Sequence, residues 1–202
     1  ITNENNLPIY RVQAIGFLLN SLDATRDEYF ALNVIFKGEP FQGFAVEGDV
    51  WLAERRMYEW SNQIYPSPLT ALRVADWYRR KPQESTIESL ERDLYIEKLK
   101  EWTAIGENLM HNMKAEKYSV SKQAYAFMLL GIERGGVAKY GDKNFEASEA
   151  AFREAQKLTS TKMTDSNLYN IDLFIRYNFA AMLAEEFPIK RLTDIRDLAQ
   201  HL

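Results

Sequence analysis

Apolar side chains recur every three or four residues from Ser67 onward, which is the spacing that places them on one face of an α-helix. The first such segment starts with Ser67 followed by Pro68, an N-cap residue and a proline at the first helical position. It continues to Arg80, and Pro82 is expected to stop it. Its predicted buried stripe consists of Leu69, Leu72, Ala75 and Trp77.

A long helix is predicted next, from Thr86 to about Lys117. Ser85 and Glu88 have the spacing of a capping box, in which each side chain accepts a hydrogen bond from the other residue's backbone amide. Gly106 is expected to bend or interrupt this helix. The apolar residues that fit the helical spacing are Ile87, Leu90, Leu94, Trp102, Ile105, Leu109 and Met113.

Two further helices are predicted around a glycine-containing loop. The first runs from Ser121 to about Arg134 and is expected to end at Gly135-Gly136, because glycine is common just after a helix. Asn144 is then predicted to cap the next helix. The apolar seam of that helix is narrow, as in a helix that packs against one partner: Phe145, Ser148, Phe152, Ala155 and Leu158.

The last predicted long helix covers Asp165 to Phe187, and Pro188 separates it from a final helix near the C-terminus. Its buried face is predicted to contain Leu168, Ile171, Ile175, Phe179 and Met182.

The first 66 residues have a weaker pattern. Helical spacing covers Pro8 to Leu22 and Asp49 to Ile64, and the glycine-containing stretch between them favours a loop. The segment Phe30 to Phe36 is rich in β-branched and aromatic residues, but an all-helical chain offers it no strand partner, so we interpret it as helix. The prediction is a single all-α domain over residues 1–202, with residues 67–202 forming stacked antiparallel helical hairpins.

Composition excludes several classes of protein. Hydrophobic residues make up 46% and charged residues 27%, as in an ordinary soluble domain. The apolar runs at residues 14–19 and 125–130 are far shorter than the roughly 20 residues of a membrane-spanning helix. The net charge is -4 and the basic residues are scattered, which disfavours nucleic acid as a partner.

The compartment and the oligomeric state are left open by the sequence. The chain has no cysteine, which removes disulfides and thiolate sites but is compatible with the cytoplasm and the periplasm. It begins at Ile1 rather than at methionine, which indicates that a signal peptide, a lipoprotein anchor segment or an expression tag preceded it.

Catalytic and metal-binding chemistry has little support in the sequence. The only histidines are His111 and His201, and the second is next to the chain end. Glu107 and His111 lie four residues apart on the long helix, but helical di-iron sites use a Glu-x-x-His pattern twice. The carboxylates near Glu97 alternate with basic residues, as on a solvated helix face. We therefore predict no catalytic residue, no metal site and no cofactor.

Aromatic residues make up 13% of the chain. Large rings commonly fill the space between paired helices, so most of them are expected in the core.

The segment Phe145 to Leu158 resembles the second helix of a tetratricopeptide repeat. That family places a small residue, an aromatic residue four later and alanine three later, and Ser148, Phe152 and Ala155 have this spacing. Phe127, Leu130 and Gly131 resemble the corresponding positions of the first repeat helix, where the glycine lets the paired helices approach closely. The Gly135-Gly136-Val137 segment resembles the loop of the Sel-like relatives.

The resemblance extends over residues 121–202. Tyr177 to Ala180 resembles part of a second first helix, with Phe179 and Ala180 at the leucine and glycine positions. Gly131 and Ala180 are farther apart than the repeat length of about 34 residues, so a regular array would need an insertion. Two architectures remain open, a tetratricopeptide-like right-handed superhelix and an irregular helical bundle.

The resemblance implies a non-enzymatic module that binds a peptide or protein in a groove lined by the first helices. Tyr125, Met128, Phe174, Tyr177 and Asn178 would face that groove, and family members often use an asparagine at the position of Asn178 to hydrogen-bond a peptide backbone.

Two other functions fit the residues. One is an acidic immunity or regulatory protein that covers a basic target, with binding that weakens steeply as salt is added. The other is an enzyme that uses a carboxylate or a tyrosine in a helical pocket.

Overall fold

The computed structural model describes residues 50–80, 89–111, 118–141, 143–160, 166–187 and 189–200. The described residues form helices and contain no strand, so the all-α prediction is confirmed. No helix in these ranges is long and apolar enough to cross a membrane. The helices are α1 (Val50–Ile64), α2 (Pro68–Arg80), α3 (Ser89–His111), α4 (Val120–Tyr140), α5 (Glu146–Ser160), α6 (Ser166–Glu186) and α7 (Leu192–Ala199).

Consecutive helices pack in pairs, α2 with α3, α4 with α5, and α6 with α7. The first helices of the pairs also contact each other, since α4 packs against both α2 and α6. The second helix of one pair touches the first helix of the next, α3 against α4 and α5 against α6, and α1 packs on α2. The described chain is therefore a row of three helical hairpins preceded by one helix.

Helix α2 begins where the sequence predicts. Ser67 Oγ accepts a hydrogen bond from the amide of Thr70 at 3.2 Å, and Thr70 Oγ1 accepts one from the amide of Ser67 at 3.0 Å. These reciprocal bonds satisfy two amides that a helix start leaves without partners. Of the predicted stripe, Leu72, Ala75 and Trp77 are fully buried.

Helix α3 is continuous through Gly106, contrary to the expected bend or interruption. A Cβ atom at Gly106 would lie 2.7 Å from the side chain of Leu72, which is fully buried in α2. Gly106 therefore allows α2 to pack closely on α3 and does not interrupt the helix.

The predicted end of α4 is wrong. The helix passes through Gly135 and Gly136 and continues to Tyr140, so these glycines do not form the Sel-like loop. A Cβ atom at Gly136 would lie 2.7 Å from Cδ of Arg79, which shows that the missing side chain makes room for α2. The helix also starts before the predicted Ser121, and Ser119 is its N-cap.

The α4–α5 hairpin contains the close approach that the sequence predicts at Gly131. A Cβ atom there would lie 2.9 Å from the ring of Phe152, and Ser148 Oγ donates a hydrogen bond to the carbonyl of Gly131 at 2.7 Å. Phe152 is fully buried and stacks on Phe179 of α6, with 5.0 Å between ring centroids. This seam holds α4, α5 and α6 in one core.

The predicted apolar stripe of α3 is wrong, because Leu90 and Leu94 are 82% and 53% exposed. Helix α2 packs on another face of α3, whose buried residues are Tyr95, Leu99, Thr103, Gly106 and Met110.

The predicted positions of the other helices agree with the structure where it describes the residues. Asn144 Oδ1 accepts a hydrogen bond from the amide of Glu146 at 3.0 Å, at the start of α5. Helices α1, α6 and α7 occupy the predicted segments. The following predicted features lie outside the described residues: the elements within residues 1–49, the capping box of Ser85 and Glu88, the ends at Lys117 and Asp165, the stop at Pro188, and His201.

Replacing Gly131 with alanine is expected to destabilise the protein by about 1–3 kcal/mol, because the new methyl group overlaps the enclosed ring of Phe152. Gly135→Ala in the same helix is the matched control. Its Cβ atom would lie 3.3 Å from Ser148 Oγ, and alanine favours a helix by about 0.5–1 kcal/mol over glycine. Urea unfolding followed by circular dichroism measures both variants, and equal losses of stability would contradict this account of Gly131.

Candidate functional site

A cavity of about 160 Å³ opens between α4 and α6, beside the end of α2. Gly135 and Gly136 of α4 and Ala181 of α6 line this space. Its floor consists of partly or fully buried apolar side chains, so most of the surface that it exposes belongs to a polar rim. The floor contains Ile132, Phe145, Phe152 and Met182, and the rim contains Arg79, Lys139, Tyr140, Asn178, Glu185 and Glu186.

A chain of charged side chains lies next to the cavity and links α1, α2 and α4. Arg80 Nη2 is 2.9 Å from Glu54 Oε1, and Arg80 Nε is 3.4 Å from Asp76 Oδ2. Arg79 Nη2 is 2.5 Å from Asp76 Oδ1, and Arg79 Nε is 3.3 Å from Glu133 Oε2. Acidic and basic side chains alternate along this network, which offsets part of the cost of burying them.

Glu133 is the innermost member of the network and is fully buried. Burial raises the pKa of its carboxyl group to about 8, because the loss of water around the charged form outweighs the attraction of Arg79. Asp76 raises this pKa further through charge repulsion. For Arg79, burial lowers the pKa, but the attraction of Glu133 and Asp76 prevails and raises it. Glu133 does not line the cavity, so its carboxyl group lies behind Arg79 rather than in contact with the open space.

Asn178 is the predicted site residue that the structure places on the cavity. Its side-chain amide donates a hydrogen bond to the carbonyl of Phe174 at 2.8 Å, which fixes its direction on α6. Phe174 lies one turn earlier on the same side of α6, and Tyr177 is adjacent. The rings of Phe174 and Tyr177 are 61% and 60% exposed, so two aromatic side chains project from α6 within one turn of Asn178, although neither lines the cavity.

The two predicted site residues of α4, Tyr125 and Met128, do not line the cavity. Tyr125 is half-buried, with its hydroxyl hydrogen-bonded to Arg73 of α2 and the guanidinium of Arg73 lying 5.6 Å from its ring centroid. Met128 is only 4% exposed and belongs to the core between the helices. The expectation that Met128 faces a groove is therefore wrong, because this face of α4 is covered by its neighbours.

Glu107 and His111, which the sequence places four residues apart as possible metal ligands, each contact other protein groups. The carboxylate of Glu107 forms an ion pair with Arg134 of α4, and Nδ1 of the exposed His111 is 3.0 Å from the carbonyl oxygen of Glu107. Within the part of the chain that the structure describes, no group of three or more potential metal ligands comes together.

Sequence reasoning missed the cavity, Arg79 and Glu133. One signal was present, since Glu133 falls on the buried stripe of α4 with Ala126, Leu129 and Leu130. An acid at such a position indicates a buried ion pair.

The chain matches none of the protein-family profiles, curated proteins and solved structures with which it was compared.

The raised pKa of Glu133 predicts that its contribution to stability falls as pH rises. The folded state keeps this proton up to about pH 8, whereas the unfolded state loses it near its ordinary pKa of 4.5. The contribution is therefore fully present below pH 4.5 and is lost as pH rises to about 8. Glu133→Gln cannot ionise, so its melting temperature should fall less than that of the wild type between pH 5 and 8.

Thermal melts at several pH values test this prediction. Glu101→Gln is the control, because Glu101 lies on the exposed face of α3 with a side chain that is 53% exposed. It should keep the pH dependence of the wild type. If the melting temperature of Glu133→Gln changes with pH in parallel with that of the wild type, Glu133 is not the group whose proton is held in the folded state.

Proposed function

We propose that this protein is a non-enzymatic module that binds a peptide or a protein segment on the surface formed by α4 and α6. One observation carries the proposal: two exposed aromatic rings, Phe174 and Tyr177, lie on α6 within one turn of Asn178, which stands on the rim of a cavity. The rings supply apolar contact area, and an asparagine amide group is able to hydrogen-bond a peptide backbone.

The exposure of these two rings supports a binding role. Helix α6 also carries Phe179, which is 2% exposed and stacked in the core, so the helix is anchored without Phe174 and Tyr177. Aromatic side chains are enriched at protein interfaces, where they bury a large area while losing few rotatable bonds. A partner that covers Phe174 and Tyr177 would gain this area.

The order of helix packing supports a groove. The first helices α2, α4 and α6 follow one another in the row of hairpins, and all three contribute to the cavity wall. In tetratricopeptide-like superhelices the corresponding helices line the concave binding face. We propose such a superhelix here, with longer hairpins than the family repeat of about 34 residues.

The position of Glu133 favours binding over catalysis. Glu133 has a raised pKa, as many catalytic acids do, but it is fully buried and lies behind Arg79. A general acid or base must reach the reacting atom directly or through one water molecule. We therefore assign Glu133 to the structural charge network.

Selection from a phage-displayed random peptide library on the immobilised protein tests the proposal. Selected peptides should bind the wild type and lose about tenfold or more in affinity to Phe174→Ala/Tyr177→Ala, measured by fluorescence anisotropy. The matched control is Leu90→Ala/Leu94→Ala, which removes two exposed apolar side chains from α3. It should change the affinity less than about twofold.

Circular dichroism first establishes that all variants are folded. Failure to select any peptide would count against the proposal. If the selected peptides bind Phe174→Ala/Tyr177→Ala as tightly as they bind the wild type, these two aromatic residues are not part of the binding surface. Peptide affinity that is unchanged by the aromatic substitutions but weakens steeply as salt is added would instead support an acidic regulatory protein that covers a basic target.

A further inference from the structure

We infer that the exposed face of α6 pairs with the same face of a second copy of this chain, with the two helices antiparallel and Tyr177 beside the two-fold axis. This inference goes beyond the proposed function, because it names a second occupant for the surface on which a peptide would bind.

The exposed face of α6 carries no charge over about four turns. From Tyr169 to Ala184 the only charged residues are Asp172 and Arg176, which form an ion pair with each other at 2.6 Å. Their side chains are only 12% and 20% exposed, so the pair lies at the edge of the buried face. The exposed residues of this segment are all uncharged: Tyr169, Asn170, Phe174, Tyr177, Ala181 and Ala184.

The exposed faces of α3 and α5 have a different composition. Their exposed residues include many charged ones: Glu91, Asp93, Glu97, Lys100, Glu101, Glu146, Arg153, Glu154 and Lys157. Depletion of charge together with enrichment of aromatic residues is the composition that distinguishes the centre of a protein interface from the rest of the surface. An uncharged face is also able to meet its own copy without bringing like charges together, although the whole chain has a net charge of -4.

Large and small side chains are separated along this face, which favours a second copy as its partner. Tyr169 and Phe174 lie in the N-terminal half, Tyr177 lies at the centre, and Ala181 and Ala184 lie in the C-terminal half. Phe174 and Ala181 are two helical turns apart and therefore lie on the same side of α6. An antiparallel copy turned about Tyr177 would set Phe174 opposite Ala181 of the second copy and Tyr169 near its Ala184. Each half with large side chains would then pack on a half with small ones.

The exposed area predicts a dimer that dissociates on dilution. Tyr169, Phe174 and Tyr177 are 53%, 61% and 60% exposed. Because an aromatic side chain has about 150–250 Å² to bury, these residues of two copies would together bury roughly 500–900 Å². Half-buried Leu173 and the two alanines add to this area. Stable interfaces bury about 1,200–2,000 Å² in total, so we expect dissociation in the micromolar range.

The dimer would cover Phe174 and Tyr177, the two rings that we propose to contact a peptide. The second copy and the peptide would therefore compete for α6, and the dimer would be the form of the protein without bound peptide.

Sedimentation velocity at increasing protein concentration tests the inference. The average mass of the wild type should rise from that of one chain toward that of two chains between micromolar and near-millimolar concentration. A mass that stays at one chain over this range would overturn the inference.

Charge substitutions at Tyr177 test the two-fold arrangement, because this residue would lie beside its own copy. Tyr177→Glu and Tyr177→Lys should each dimerise about tenfold or more weakly than the wild type, since like charges would meet at the interface. An equimolar mixture of the two variants should associate about fivefold or more tightly than either variant alone, because opposite charges would then meet.

Leu94→Glu and Leu94→Lys are the matched controls, because Leu94 is an apolar residue that is 53% exposed on α3. Both should dimerise within about twofold of the wild type. Circular dichroism first establishes that all variants are folded. A folding defect in both Tyr177 variants would not be corrected by mixing them, so recovery in the mixture reports the contact itself.

Unchanged dimerisation of the Tyr177 variants would place the contact on another face and overturn the inference. A mixture that associates no more tightly than its components would overturn the antiparallel pairing about Tyr177. Neither measurement uses a peptide, so both results leave the proposed function in place. A dimer with the expected response to the Tyr177 substitutions, from which no peptide is selected, would support the inference and count against the proposed function.

Discussion

Helix α4 is packed on several sides at once, and it has room for its neighbours because three glycines stand where helices meet. Gly131 faces the ring of Phe152 in α5, and Gly136 faces Arg79 in α2 and Leu99 in α3. Gly135 faces Ser148 in α5 and Met182 in α6. Each glycine weakens the isolated helix, but the packing that it permits compensates for this cost. The row of hairpins depends on these contacts.

The same close packing explains why charge is found inside the protein. Where α2 crosses α4, Arg79 lies against Gly136 and extends to Glu133, which is fully buried. Asp76 and Arg80 continue the alternation of charge toward α1. A buried network of this kind favours one arrangement of the helices, because any shift would leave a buried polar group without its partner. It also holds Arg79 at the edge of the cavity, where the guanidinium group is already neutralised.

Much of the helical structure was predictable from local signals. Ser67 caps α2, Asn144 bonds the start of α5, and the seam of Ser148 and Phe152 packs on Gly131 as its spacing indicates. The prediction failed at Gly135 and Gly136, where a pair of glycines was interpreted as a helix end. Local sequence does not separate a glycine that stops a helix from one that admits a neighbouring helix, because both need the absence of a side chain.

The sequence by itself determined the helical class of the described chain, because apolar residues recur at helical spacing within each segment. Only the tertiary structure decided that Met128 is enclosed, that Glu133 pairs with Arg79, and that Asn178 stands on the rim of a cavity. These properties depend on which helix lies beside which. Contacts between residues distant in the chain arise from the packing of several helices together, and helical periodicity within one segment carries no information about them.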